Sequence, residues 1–405
     1  MTATPPPAAL SRWIVLVMAF GCGAAVASNY YGQPLLDVIA ETFGVAPSTA
    51  GFIVTASQLG YAAGLVFLVP LGDLLERRTL ILRLLLATAV ALAVTAAAPS
   101  VAVLAGALAI VGVTSVVAQI LIPLSAALAP EHERGKVVGI VMSGLLIGIL
   151  VARTVSGLIA QLGGWRLVYA LASVVILVLA VTLWRVLPES FPARSDLTYR
   201  SLLRSVTALV RTSPLLRRRM IYGATGMGGF SLVWTSITFL LSDAPYEFNE
   251  ATIGLVGLFG IAGALSAQAA GRLGDRGWTH PATGAFLFVT LAGWGLMAFA
   301  TDSLVALLAG LVLFDLGIQG QHILNQNRLF TAYPDARSRV VTAYMTGNFV
   351  AGALGSATAA LAYAAGGWAA ITGVGVVIAV IGLAAWVQEQ LARGAPAVAA
   401  SDSPH

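Results

Sequence analysis

Charge is what this sequence has least of. Asp, Glu, Lys and Arg make up 10% of its 405 residues, while 58% are apolar. Soluble domains carry about 25% charged residues, so a water-soluble globular fold is excluded. Thiols are nearly absent as well: Cys22 stands alone, which rules out a disulfide framework and a cysteine metal site. No Gly-x4-Gly-Lys-Ser/Thr run occurs, so direct drive by ATP is not indicated. No paired carboxylates and no nucleophile–base set lie at matching depth, so the chain reads as neither an enzyme nor the holder of a cofactor.

What is abundant is uninterrupted apolar sequence. A helix crossing the hydrocarbon core of a bilayer needs about 20 mostly apolar residues. Twelve such spans are predicted, near 13–34, 49–71, 80–98, 101–128, 137–162, 167–187, 220–241, 251–271, 282–300, 303–327, 340–365 and 369–387. The runs are too long, and too poor in polar/apolar alternation, for a transmembrane barrel. The expected fold class is an all-α membrane protein with twelve transmembrane helices. Residues 1–11, with Pro5-Pro6-Pro7, read as a short lead-in, and 394–405 as a loose tail.

Orientation follows from the basic residues. With the N-terminus in the cytoplasm, 20 of the 22 Lys and Arg fall on the cytoplasmic side, Arg153 and Arg166 being the exceptions. The outer segments 35–48 and 242–250 carry Asp37, Glu41, Asp243, Glu247 and Glu250 with no Lys or Arg. This positive-inside pattern predicts a multi-pass protein of the inner (plasma) membrane with both termini cytoplasmic. The net charge of +5 belongs to that topology and to contact with the lipid bilayer, not to nucleic acid.

The chain also repeats itself at an offset of about 203 residues. Lys136–Trp165 aligns without gaps on Arg339–Trp368, matching Val137/Val340, Val138/Val341, Met142/Met345, Gly144/Gly347 and Leu158/Leu361. Both copies close on Gly-Gly-Trp, and Arg134 matches Arg337 at the same offset. Gly72-Asp73 and Gly274-Asp275 give a second echo. Two pseudo-symmetric six-helix halves are expected, residues 1–187 and 220–393, joined by a cytoplasmic linker at 188–219. That linker, with Arg194, Arg200, Arg204, Arg211 and Arg217-Arg218-Arg219, is expected to hold an amphipathic surface helix. Paired halves suggest alternating access about a site near the midplane.

The segment Val69–Arg78 carries Asp73, Arg77 and Arg78 in the places of the loop motif G-x-x-x-D-[RK]-x-G-[RK]-[RK], and Gly271-Arg272-Leu273-Gly274-Asp275-Arg276 repeats its first part. On these residues and the repeat, the chain resembles the major facilitator superfamily over nearly its whole length. Within that family it looks most like the bacterial twelve-span drug:proton antiporters. The resemblance implies a cytoplasmic gate network of Asp73, Arg77, Arg78, Arg134, Asp275, Arg276 and Arg337; the alternative is topology-setting charge with a capping Asp. Departures are plain. Val69, Leu74 and Glu76 stand where the motif has Gly, a basic residue and Gly. Leu108 replaces the Arg expected four residues before Gly112 in span four, and Arg153 occupies the Pro place of the antiporters' span-five motif G-x(8)-G-P-x-x-G-G.

Asp315 is the one acid, and Arg153 the one base, at mid-depth in the predicted spans. A charge at the bilayer centre costs at least about 2.5–3.5 kcal/mol, and a mutual pair lowers that cost. Asp315 lies about 18 Å and Arg153 about 13 Å from the outer ends of their spans at 1.5 Å per residue. The guanidinium reaches the carboxylate if the helices are neighbours. A desolvated carboxylate holds a proton and releases it when a cation approaches, so proton coupling by Asp315 and Arg153 is set against a static ion pair. Asp315, Gln319, His322 and Gln326 share one helix face, which in lipid must point at protein or a water-filled cavity. His322 is read either as a proton relay or as a satisfied polar residue. With no second His or Cys near it in sequence, a metal site is not expected.

The candidate solute-binding residues are Asn29, Tyr30 and Gln33 on span one, Gln58 on span two, Gln119 on span four, and Gln319 and Asn325 on span ten. Tyr30 is equally an interfacial anchor. By the resemblance, spans one, four, seven and ten line the cavity, which adds Trp234. Amides and aromatics suit a neutral or amphipathic solute. The leading expectation is a monomeric secondary transporter exporting a small organic solute against protons. The alternatives are proton-coupled uptake and a non-transporting membrane receptor.

Overall fold

The computed structural model of the chain describes residues 11–191 and 198–394. The lead-in before residue 11, Arg194 of the linker and the tail from 395 lie outside the described residues. Every regular element within them is helical. Proline and small polar side chains mark where the helices begin. Pro47 opens α3 (Pro47–Phe67) and Pro214 opens α9 (Pro214–Ser242), where a missing N–H is harmless. Ser100, Asn249 and Ser303 cap α5 (Val101–Thr114), α10 (Glu250–Val256) and α13 (Leu304–Ala332) through their side-chain oxygens.

The remaining elements are α1 (Arg12–Ala27), α2 (Leu36–Phe43), α4 (Arg77–Ala96), α6 (Val117–Leu128), α7 (Arg134–Val186), α8 (Tyr199–Thr212), α11 (Ile261–Asp275), α12 (Thr279–Met297) and α14 (Arg337–Gly394). Among the described residues, eight helical stretches are long and apolar enough to cross a membrane. Two of them, containing α7 and α14, are hairpins. Gly163-Gly164 and Gly366-Gly367 leave helical geometry, and Gly164 (φ 77°) and Gly367 (φ 57°) take up the left-handed region that favours glycine. The repeated Gly-Gly-Trp thus marks the reversal between spans five and six and between eleven and twelve. With α1 and α12 added, the helices accommodate the twelve predicted spans. The amphipathic helix expected in the linker is α8; its Val206, Leu209 and Val210 pack on a small core with Leu216, Leu329 and Tyr344.

Small residues let the helices touch backbone to backbone. A side chain at Gly148 would collide with Gly23, one at Gly112 with the Ser57 carbonyl, and one at Gly355 with Gly228. The stripes Gly144-x3-Gly148 and Ala351-x3-Gly355 therefore join spans one to five and seven to eleven, inside each half.

The halves meet along the face of the bundle opposite the chain termini. Thr154 Oγ1 donates to the Gly254 carbonyl (2.9 Å), Thr238 Oγ1 to the Gln33 carbonyl (2.7 Å) and Ser356 Oγ to the Gly51 carbonyl (3.3 Å). On this closed far face Asp37 of the first half lies near Asp243 and Glu250 of the second. Burial, then Glu41, Asp243 and Glu250, raise its carboxyl above the ordinary range, with the Ser242 hydroxyl opposing.

Glu76, out of place in the loop motif, has a structural task. Its carboxylate caps α4 by accepting from the N–H groups of Arg78 (2.9 Å) and Thr79 (2.6 Å), and it also accepts from Ser190 N–H (2.9 Å). Burial alone would raise its pKa, but these bonds win and hold it at about 2, against an ordinary 4.5. The bonds contribute stability above pH 4.5, and that contribution is lost as pH falls towards 2. Glu76→Ala is expected to cost about 1 kcal/mol, the usual scale for a lost helix cap. Thermal unfolding of detergent-solubilised protein should show this at pH 7, with the gap between variant and parent closing on acidification.

Candidate functional site

Two helix breaks converge on Arg153. Span one stops being α-helical after Ala27 and passes through a turn and the 3-10 stretch Gln33–Leu35 before α2. Span eight is interrupted by the 3-10 stretch Gly257–Gly260 between α10 and α11. Both irregular stretches pack against α7. Irregular backbone at membrane depth survives only where protein or a cavity receives its polar groups. Glycine makes the second break fit: a Cβ on Gly257 would press on Arg153 Cβ (3.1 Å), and one on Gly260 on Asp315 Oδ2 (3.1 Å).

The Arg153 side chain is 3% exposed. Its Nε donates to Gln33 Oε1 at 2.6 Å. The guanidinium lies 4.0 Å from the ring centroid of Trp234 and 5.2 Å from those of Tyr30 and Phe230. Cation–π contacts of this kind are worth about 2 kcal/mol when desolvated. Asp315, 4% exposed, interacts electrostatically with Arg153. The ion pair expected from helix depth is not a contact pair, however. No N–O distance between them falls within 4.0 Å, because the guanidinium is turned into the aromatic box and bonded to Gln33. The Trp234 indole approaches Asp315 without a well-formed hydrogen bond. Arg153 Nη2, Gln33 Nε2, Trp234 Nε1 and Asp315 Oδ1 are all buried and unpartnered.

The polar face of span ten divides between two neighbourhoods. Asp315 faces the box, and Gln319 packs against Gly263 of α11. His322 stacks on Tyr344, its Nδ1 lies 3.1 Å from the Tyr344 hydroxyl, and Nε2 accepts from Gln326 Nε2 at 2.9 Å. These contacts suit a neutral imidazole protonated at Nδ1, and they hold His322 away from Asp315. Asn325 faces away from the box too, donating to the Tyr344 hydroxyl at 3.4 Å. Of the other amides, Asn29 Oδ1 accepts from Ser57 (2.8 Å), Gln58 Nε2 reaches Ser231 across the halves (3.5 Å), and Gln119 donates to Tyr61 (3.4 Å). Arg153, Tyr30, Gln33, Trp234 and Asp315 thus form one cluster, with Asn29 and Gln58 beside it and Gln119 further along the interface.

The sequence did not disclose a second buried ion pair near the terminal face. Arg219 Nη2 donates to Glu389 at 3.0 Å and 3.3 Å, Tyr222 Oη donates to Glu389 Oε2 at 2.8 Å, and Arg219 Nη1 donates to Asn325 Oδ1 at 3.4 Å. His280 Nδ1 lies 3.9 Å from the same carboxylate. This network ties spans seven, nine, ten and twelve together within one half. Arg219 sits beside Arg217 and Arg218 at a span end and reads there as a topology signal; its burial follows only from helix packing.

The implied gate residues are spread out. Arg77 Nη2 lies 3.8 Å from Asp73 and its Nε donates to the Gly72 carbonyl, while the Ser338 hydroxyl of the second half faces Asp73. Arg78 stacks over Trp184 at 5.8 Å. Arg134 lies 3.9 Å from Glu131 in solvent, and Arg276 and Arg337 are exposed. Asp275 ends α11, and its side chain lies outside the described residues.

Removing one member of a buried, hydrogen-bonded pair costs about 3–5 kcal/mol. Arg219→Met is expected to lose that much stability in denaturant unfolding. Because its hydrogen-bond partners Glu389 and Asn325 lie outside the Arg153 cluster, the surviving folded fraction should keep its ligand affinity.

Comparison with known proteins agrees with this architecture. The sequence profile of the Major Facilitator Superfamily matches residues 15–355. An uncharacterised transporter of Escherichia coli O157:H7, YgaY, is 47% identical over 95% of this chain and 97% of its own length. A chloramphenicol resistance protein of Streptomyces lividans is 28% identical over 72% of this chain and 74% of its own. Among solved structures, the human organic anion transporter MFSD10 superposes with a TM-score of 0.70 over 95% of this chain and 99% of that one, at 18% identity. The chain belongs to the major facilitator superfamily and is a membrane transporter.

Proposed function

We propose that this transporter couples the movement of a small organic solute to protons by alternating access, with Asp315 as the proton-carrying group and Arg153 as its fixed counter-charge. One observation carries the reading. The two charges come from different halves and face each other without contact where the broken spans one and eight converge, each keeping an unpartnered polar atom. A carboxylate so placed changes its protonation when a charged solute arrives or when the halves part. The terminal face is cytoplasmic by the distribution of basic residues, so the closed far face leaves the site to be reached from the cytoplasm. The motif charges Asp73 and Arg77, facing Ser338, act as a latch on that side. The protein works in the plasma membrane as a monomer.

Export against protons is the direction favoured by the resemblance to drug:proton antiporters and by the relative named for chloramphenicol resistance. The second reading is movement of proton and solute together. It is favoured by the unpartnered donors around Arg153, which suit an acceptor-rich solute. In proteoliposomes, a solute found by thermal-shift screening of the purified chain should move in response to an imposed pH gradient. Asp315→Asn should abolish gradient-driven movement while sparing solute counterflow. Normal, pH-driven transport by that variant would remove Asp315 from the mechanism.

A further inference from the structure

The polar atoms left unsatisfied around Arg153 are mostly of one kind. Arg153 Nη2, Gln33 Nε2 and Trp234 Nε1 are all N–H groups, on residues 3%, 1% and 2% exposed; the first two have no partner, and the indole approaches only Asp315, without a well-formed hydrogen bond. The three side chains touch, since Arg153 bonds to Gln33 and lies on the Trp234 ring. Asn29 Nδ2, one residue from Tyr30 in the same helix break, is a fourth unpartnered donor. A buried donor without an acceptor costs about 1–3 kcal/mol, so several in contact describe a site that lacks its acceptor. Tyr30 and Phe230 stand edge to face with centroids 6.3 Å apart and lay apolar surface against the same guanidinium.

Charge balance sharpens the description. Arg153 stays protonated at any relevant pH. With Asp315 ionised, the empty site is neutral; an added anion leaves one uncompensated negative charge in a low-dielectric interior. A proton on Asp315 restores neutrality, so the anion and the proton favour each other's binding. An organic cation would instead sit beside a buried guanidinium of the same sign. We infer that the site takes an amphipathic organic anion, a carboxylate on a planar apolar body, whose head is held by Arg153, Gln33 and Trp234 while one proton from bulk water binds Asp315. Groups facing Asp315 leave Arg153 as the interacting charge: α9 presents Trp234, the span-eight break presents Gly260, α12 packs on α13 through Phe286, Thr290 and Trp294, and His322 lies two turns along the same helix. The inference rests on the proton-coupled reading and selects joint movement of solute and proton.

The test uses the purified full-length chain in detergent with benzoate, 2-naphthoate and indole-3-acetate, and with 2-naphthylmethylammonium as the cation of matching shape. Calorimetric titrations in two buffers of different ionisation heat count the protons exchanged on binding. An aromatic carboxylate should bind with uptake of about one proton, and above the titration of Asp315 its affinity should fall about tenfold per pH unit. Arg153→Gln should lose carboxylate binding, and Asp315→Asn should bind with no pH dependence and no proton uptake. The wild-type pH series stands alone if either variant fails to fold. Failure of all three carboxylates to bind, or binding without proton uptake, overturns the inference. Tighter binding of the ammonium compound with proton release also overturns it but leaves Asp315 as the coupling group. Binding of any probe with no proton exchange sinks both readings.

Discussion

A guanidinium held away from water inside the bundle, close to its counter-charge without touching it, is the constraint on which this structure turns. Arg153 cannot shed its proton, so the surroundings must tolerate a permanent positive charge. Three aromatic faces, the Gln33 amide and the field of Asp315 share that work. Each requirement shapes the backbone nearby. Span one unwinds to present Tyr30 and Gln33, and span eight tightens to a 3-10 turn whose glycines make room for both charges.

The two buried charge pairs differ in kind. Arg219 and Glu389 lie in one half and meet directly, with Tyr222 and Asn325 adding hydrogen bonds. Such a network fixes helix positions. Arg153 and Asp315 lie in different halves, do not meet, and keep unpartnered atoms. Under the proposed alternating access, rocking of one half against the other would change their separation, and with it the ease of protonating Asp315. The Arg219 pair ties helices within one half; the Arg153 pair spans both.

Much of this was legible in the sequence. Span length, the asymmetry of Arg and Lys, and the repeat are one-dimensional signals, and they led to the twelve-helix, two-half architecture. Asp315 and Arg153 stood out because depth along an apolar run can be counted. What escaped were properties of contact. The breaks in spans one and eight follow from packing around Arg153; Gln33-Pro34 and Gly257/Gly260 were their only local traces. The gaps between the predicted spans 137–162 and 167–187, and between 340–365 and 369–387, fall at the repeated Gly-Gly-Trp, where both hairpins reverse. Arg219 and Glu389 sit at span ends, where charge normally faces water, so nothing in their neighbours announced burial. Glu76 looked like a departure from a loop motif until its carboxylate was found capping α4.

The central claim is that Arg153 and Asp315 stabilise each other across the two halves. A double-mutant cycle on folding stability, with Arg153→Met, Asp315→Leu and the double replacement, measures this directly. The account predicts that each single change costs about 3–5 kcal/mol, by stranding a buried charge, and that the double variant is more stable than either single one. Strictly additive losses, with the double variant the least stable of the four proteins, would contradict it.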